Sequence, residues 1–201
     1  MEKEVGYDLL AAIFFVLMTP VVIAGFCVFW LVNARDHEQI AQCWRTYARS
    51  RGFDFVPPDG EWPNRTSAAV VWKSGDAELR LTTVGREARV RTRLTVKPRA
   101  TLLGSLFWVC DEASAGFVRL QERPAGLAAR IVRQRVQRAL LALRQRDRVT
   151  LRYRRGRITI EWPGGELNDA RLDDARRLGE EAAQAIADEF QAPALIRKPA
   201  A

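Results

Sequence analysis

Two arginine sets are the residues of this chain best suited to chemistry with a partner. Arg89, Arg91 and Arg93 alternate along one run, and Arg152, Arg154 and Arg157 recur along another. On a β-strand, side chains at i and i+2 share a face, so each set presents a row of guanidinium groups. Guanidinium is permanently charged, and its planar fork of donors matches phosphate. If both runs join one sheet on the same side, they form a single basic surface suited to anionic lipid or another phosphate. The plainer alternative is a solvated sheet face, with Glu78 and Glu161 as partial counter-ions. Nucleic acid is disfavoured, because no aromatic residue interleaves with these arginines on their outward face.

Catalytic chemistry finds little to work with. His37 is the only histidine, which argues against a histidine-based metal site or a general base deep in the fold. Cys27, Cys43 and Cys110 are scattered and odd in number, so they form neither a disulfide framework nor a metal-ligand pattern. No phosphate-binding glycine loop, dinucleotide fingerprint or nucleophile elbow occurs. The neighbouring carboxylates, Asp111-Glu112 and Asp173-Asp174, fit a loop and a helix start better than acid–base work. No catalytic, cofactor-binding or metal-ligating residue is therefore assigned, and the reading is a non-catalytic protein.

Charge is unevenly distributed along the chain. The whole carries 32 Lys+Arg against 24 Asp+Glu, a net +8. Residues 33–85 balance at 7 bases and 7 acids, residues 86–157 hold 19 and 5, and residues 158–201 hold 5 and 9. The middle block can attract phosphate. Arginine also greatly outnumbers lysine and alanine is abundant, as a GC-rich genome would produce without any binding role.

The elements that must position the arginines follow an apolar segment. Leu9 to Val32 contains no charge, and its only polar side chain is Thr19. At about 1.5 Å per residue it extends roughly 36 Å, enough to cross a hydrocarbon core of ~30 Å with some tilt. Tyr7 and Trp30 suit the headgroup zones, and Pro20 predicts a modest kink. An acidic start with Glu2, Glu4 and Asp8 is unlike a signal peptide. Lys3 precedes the segment while Arg35, Arg45, Arg49 and Arg51 follow it, so the positive-inside rule places the N-terminus outside and the domain in the cytoplasm.

Beyond the span, Ala34 to Arg51 reads as a helix with Ile40, Cys43, Trp44 and Tyr47 on one face. Strands are predicted over 68–73, 78–84, 88–96 and 102–109, the last a continuous apolar run read as buried, with a brief strand at 117–120. One helix is expected from Pro124 to about Arg146. Val149–Tyr153 and Ile158–Trp162 flank Arg155-Gly156 as a hairpin. A last helix runs from Asp169 to about Phe190, capped by Asn168. The fold class is α+β: an N-terminal transmembrane helix, then a mainly antiparallel sheet packed with about three helices. Its divisions are a tail (1–8), the span (9–32), the domain (33–191) and a flexible end (192–201).

The order of these elements, with Phe117-Val118-Arg119, the stretch from Ala128 to Leu143 and the hairpin from Tyr153 to Trp162, resembles uncharacterised single-span membrane-anchored proteins of GC-rich, myxobacteria-like bacteria. The resemblance is one of pattern over most of the soluble part. It implies a cell-membrane location and carries no activity and no binding residues. Two functions stay open: a membrane-tethered protein-interaction or assembly module with an unidentified protein partner, and an anionic-lipid or phosphate-binding module using the basic sheet face.

Overall fold

The structure is a computed structural model. It describes residues 2–60, 66–85, 90–110, 117–144 and 148–196, with the side chains of these except 2–13, 29–34, 110, 117–120, 144 and 191–196. The chain forms two compact units, Met1–Gln39 and Ile40–Ala201. Helix α1 (Glu2–Arg51) contributes to both.

In the first unit, the large apolar side chains between Phe14 and Val28 are exposed on every side of the helix. Among the described residues no helix is long and apolar enough to cross a membrane. Of the expected span at 9–32, the side chains of 9–13 and 29–32 lie outside the described residues. The remaining fifteen, 14–28, fall short of the ~20 that a bilayer core requires.

The second unit begins at Ile40, the first buried side chain among the described residues. Its sheet comprises β1 (Asp54–Val56), β2 (Ala69–Ser74), β3 (Ala77–Val84), β4 (Arg91–Lys97), β5 (Ser105–Cys110), β6 (Phe117–Arg123), β7 (Val149–Arg154) and β8 (Arg157–Pro163). The order across it is β1-β2-β3-β4-β8-β7-β5-β6, with every ladder antiparallel. The α+β class with an antiparallel sheet is as the sequence predicts.

Period-two alternation explains the two faces. Leu79, Leu81, Leu94, Val96, Ile158, Ile160, Leu151 and Tyr153 are buried on one side, while their neighbours in sequence point to the other. Helices α2 (Leu127–Ile131), α3 (Gln134–Arg144), α4 (Asp169–Ile196) and the end of α1 all pack on the buried side. Gly179 lets α4 approach closely: a Cβ there would stand 2.6 Å from Leu79 and 3.0 Å from Leu94.

Three expectations are corrected. The helix expected from 124 to 146 is two helices, broken at Val132 (φ −97°, ψ 64°). Arg133 there bonds Asp188 at 3.2 Å and Glu189 at 2.9 Å on α4, a tertiary pull that overrides a continuous apolar stripe. Its start is set by Glu122, whose carboxylate accepts from the amides of Gly126 and Ala128. Helix α4 runs on to Ile196, so the flexible end expected from 192 is helical for those residues, and 197–201 lie outside the described residues. Strand β5 is not wholly buried: Phe107 pairs with Arg152 and so faces outward.

The end of the sheet nearest Ile40 is locked by polar contacts around Glu166. Its buried carboxylate accepts from the Trp162 indole (3.2 Å) and the Asn168 amide (3.0 Å), and it pairs with Arg171 at 3.3 Å. The Glu166 amide donates to the Thr92 hydroxyl (3.0 Å), and its carbonyl accepts from the Trp44 indole (2.8 Å). Four elements are thus tied at one residue. Such a network holds because each buried polar group has a partner.

Candidate functional site

Register brings the two arginine sets onto one face of one sheet. Arg93 lies opposite Glu161, Glu161 opposite Thr150, Thr159 opposite Arg152, and Arg157 opposite Arg154. Paired residues of antiparallel strands point the same way, so Arg91, Arg93, Arg152, Arg154 and Arg157 all belong to the outward face. Arg89 lies outside the described residues. No helix covers this face among the described residues, since all four pack on the other side.

The electrostatics divide the face into two. Glu161 is satisfied by Arg93 at 2.6 Å, with Arg91 farther off at 3.8 Å. Lys97 pairs with Glu78 at 3.5 Å. By contrast, Arg154 and Arg157 stand directly opposite each other, and neither has a carboxylate partner among the described residues. Like charges facing each other across a ladder repel. Arg155, at the turn between them with φ 52°, adds a third charge to the hairpin tip.

Phe107 changes the character of the surface. The Arg152 guanidinium lies over its ring, 5.1 Å from the centroid, a cation–π contact. An aromatic side chain does interleave with the arginines, contrary to the premise that disfavoured nucleic acid. The continuous apolar run of β5 concealed which parity faced out. Only the pairing of Phe107 with Arg152 reveals it.

Arg148 is a second residue missed in sequence. It precedes β7 and continues the parity of Thr150 and Arg152, so two-residue spacing could have added it to the set. Together with Arg91, Phe107, Thr150, Glu161, Trp162 and Pro163 it lines a concavity of about 260 Å³.

Two other hollows hold ion pairs. A hollow beside α4 contains Arg99 and Asp76, paired at 3.7 Å, and another contains Arg133 and Asp188 at 3.2 Å. Among the described residues no group of three His, Cys, Asp or Glu could hold a metal ion. The Cys43 thiol gives its hydrogen to the Leu167 carbonyl at 3.3 Å, and burial, with help from Asp169 and Glu166, holds its pKa above the ordinary value. A raised pKa keeps it protonated and a poor nucleophile.

Comparison with known proteins adds no relative: no protein-family model, curated protein or solved structure matches this chain.

Proposed function

We propose that this chain is a single-span membrane protein whose C-terminal unit is a non-catalytic binding module on the cytoplasmic side, with the open basic sheet face as its binding surface and anionic lipid as its partner. The observation that carries the reading is Arg154 opposite Arg157 on an uncovered face, with no carboxylate beside them among the described residues. A fold gains nothing from such a pair by itself, whereas an anionic surface relieves the repulsion. Each basic residue near such a surface adds about 1 kcal/mol, so even half of the set suffices for measurable attachment.

The anchor rests on exposure. Phe14, Phe15, Val16 and Leu17, which successive 100° turns place around the whole helix, are 61%, 69%, 72% and 65% exposed. A helix apolar all round is costly in water and at home in hydrocarbon. Orientation rests on the arginines that follow the segment, as does the cell-membrane location. The same features agree with the resemblance to single-span bacterial proteins.

A protein-assembly role is the second reading, favoured by one observation. Leu103 is 92% exposed at the opposite end of the sheet from Ile40, in the loop that packs on the Arg155-Gly156 turn through Thr101. An apolar knob beside a basic tip suits an acidic protein surface.

Residues 40–201 contain the whole described core, so they serve for a flotation test with phosphatidylcholine vesicles containing phosphatidylserine. Wild-type protein is expected to float and to be released by salt. A variant with serine at Arg89, Arg91, Arg93, Arg152, Arg154 and Arg157 is expected to remain behind. Equal flotation of the two overturns the lipid reading. A C-terminal reporter active only outside the cytoplasm overturns the orientation.

A further inference from the structure

Leu103 is held in the open by a loop that is fixed on both sides of it. Thr101 seats on the Arg155-Gly156 turn so closely that a Cβ at Gly156 would strike its methyl group. The Leu102 amide and carbonyl are both bonded to the Tyr153 hydroxyl, at 2.7 and 2.6 Å. Gly104 is wedged against the next strand: a Cβ there would strike the Arg123 carbonyl oxygen and stand 2.8 Å from Pro124. Between these fixed points Leu103 is 92% exposed. From 91 to 123 and from 149 to 163, no other large apolar side chain is exposed among the described residues. A single exposed leucine is ordinary on a protein surface. Its fixed setting among arginines is not.

Register sets those arginines in a row. Arg123 on β6 lies opposite Ser105, Ser105 opposite Arg154 on β7, and Arg154 opposite Arg157 on β8. Strands lie about 4.8 Å apart, so these side chains line one rim of the outward face. Arg155 adds a fourth charge at the turn. All four are exposed, and none has a carboxylate partner among the described residues. The loop that carries Leu103 thus meets the Arg123 backbone on one side and the hairpin tip on the other.

One apolar side chain flanked by guanidinium groups fits a bilayer interface better than another protein. A stable protein interface takes roughly 800 Å² from each partner, with an apolar centre from which charge is depleted. Here charge surrounds a single leucine. A bilayer requires less: one alkyl side chain passes between the headgroups, basic residues hold the phosphates, and no shape has to match. Resting on the anionic-lipid reading above, we infer that Leu103 inserts into an anionic bilayer, with Arg123, Arg154, Arg155 and Arg157 on the headgroups around it. Lipid contact then centres on this rim of the basic face.

The test uses residues 40–201, a compact unit of their own, with phosphatidylcholine vesicles that contain or lack phosphatidylserine. Wild-type protein is expected to prefer the anionic vesicles. Leu103→Ala is expected to weaken that binding about tenfold, and Leu103→Phe to preserve it. The double variant R123S/R155S, outside the six arginines of the flotation variant, is expected to weaken it about fivefold. Leu103→Trp is expected to add tryptophan fluorescence that brominated acyl chains quench. These side chains are exposed, and matching thermal unfolding curves verify that the fold is intact. Wild-type binding by L103A, or no added quenching in L103W, overturns insertion and leaves the basic-face reading in place. An acidic protein as the occupant of the knob would give that same result. Wild-type binding by R123S/R155S overturns the rim as the place of contact, and equal binding to both vesicles overturns the role of charge. A wild type that binds neither vesicle removes both readings.

Discussion

Arg154 and Arg157 face each other across the narrow end of the β7–β8 hairpin, the last cross-strand pair before the Arg155-Gly156 turn. Replacing one by a carboxylate turns repulsion into a cross-strand ion pair. Arg157→Glu is expected to raise stability by about 0.2–1 kcal/mol in urea unfolding, while reducing vesicle flotation. A variant that gains stability and loses attachment together would identify these side chains as kept for a partner. One that loses stability would place their role in the fold.

A second expectation concerns the loop before β5. The Tyr153 hydroxyl accepts from the Leu102 amide at 2.7 Å and donates to the Leu102 carbonyl at 2.6 Å, so one buried oxygen satisfies both backbone groups. Tyr153→Phe leaves both groups buried without that partner. The expected cost is about 1–3 kcal/mol, with faster hydrogen exchange at Leu102. Unchanged exchange there would mean that solvent already reaches the loop.

The tyrosines also predict alkaline sensitivity. Burial is the main force holding the Tyr153 phenol above its ordinary value of 10, against the lowering effect of the Leu102 contact and Arg130. Tyr47 is raised as well, first by burial and then by donating to Asp173 at 3.0 Å. A folded-state pKa above the unfolded one gives stability that is complete below about pH 10 and drains as pH rises beyond it. Asp173 has the opposite sign. Burial pushes its carboxyl up, but the bonds from Arg51 and Tyr47 outweigh this and hold it below the ordinary carboxyl value of 3.8. Its contribution is present above pH 3.8 and lost as pH falls below it. Denaturant midpoints against pH should therefore fall at both extremes, and Tyr47→Phe should flatten the alkaline limb.

Helix α4 offers a packing test. Gly179→Ala favours the helix by about 1 kcal/mol in propensity, yet it drives a methyl against Leu79 and Leu94. Overpacking of this kind costs about 1–3 kcal/mol, so net destabilisation is expected by calorimetry. A stabilised variant would show that α4 can shift from the sheet freely.

What was readable in the sequence tracks how local its cause is. The β7–β8 hairpin was legible because alternation and the Arg155-Gly156 turn lie within a few residues. Asn168 was legible as the start of α4, and its side-chain oxygen accepts from the Ala170 amide at 2.9 Å. The break at Val132 was not, because Arg133 is held by carboxylates 55 and 56 residues away. The arginine sets were identifiable by spacing, but their union on one face depends on β8 entering between β4 and β7. Phe107 escaped for the same reason, because only its pairing with Arg152 shows that it faces outward, whereas Arg148 lay within reach of two-residue spacing from Arg152.

The sheet order has a consequence for synthesis. Val96 pairs with Ile158, about sixty residues later, so β4 stays an uncovered edge until that further stretch has left the ribosome. A nascent edge strand is a template for unwanted pairing, and charges along it are a natural defence. Arg91, Arg93 and Lys97 stand on that strand. Charges at these positions are of the kind that guards such an edge against self-association until β8 closes the ladder.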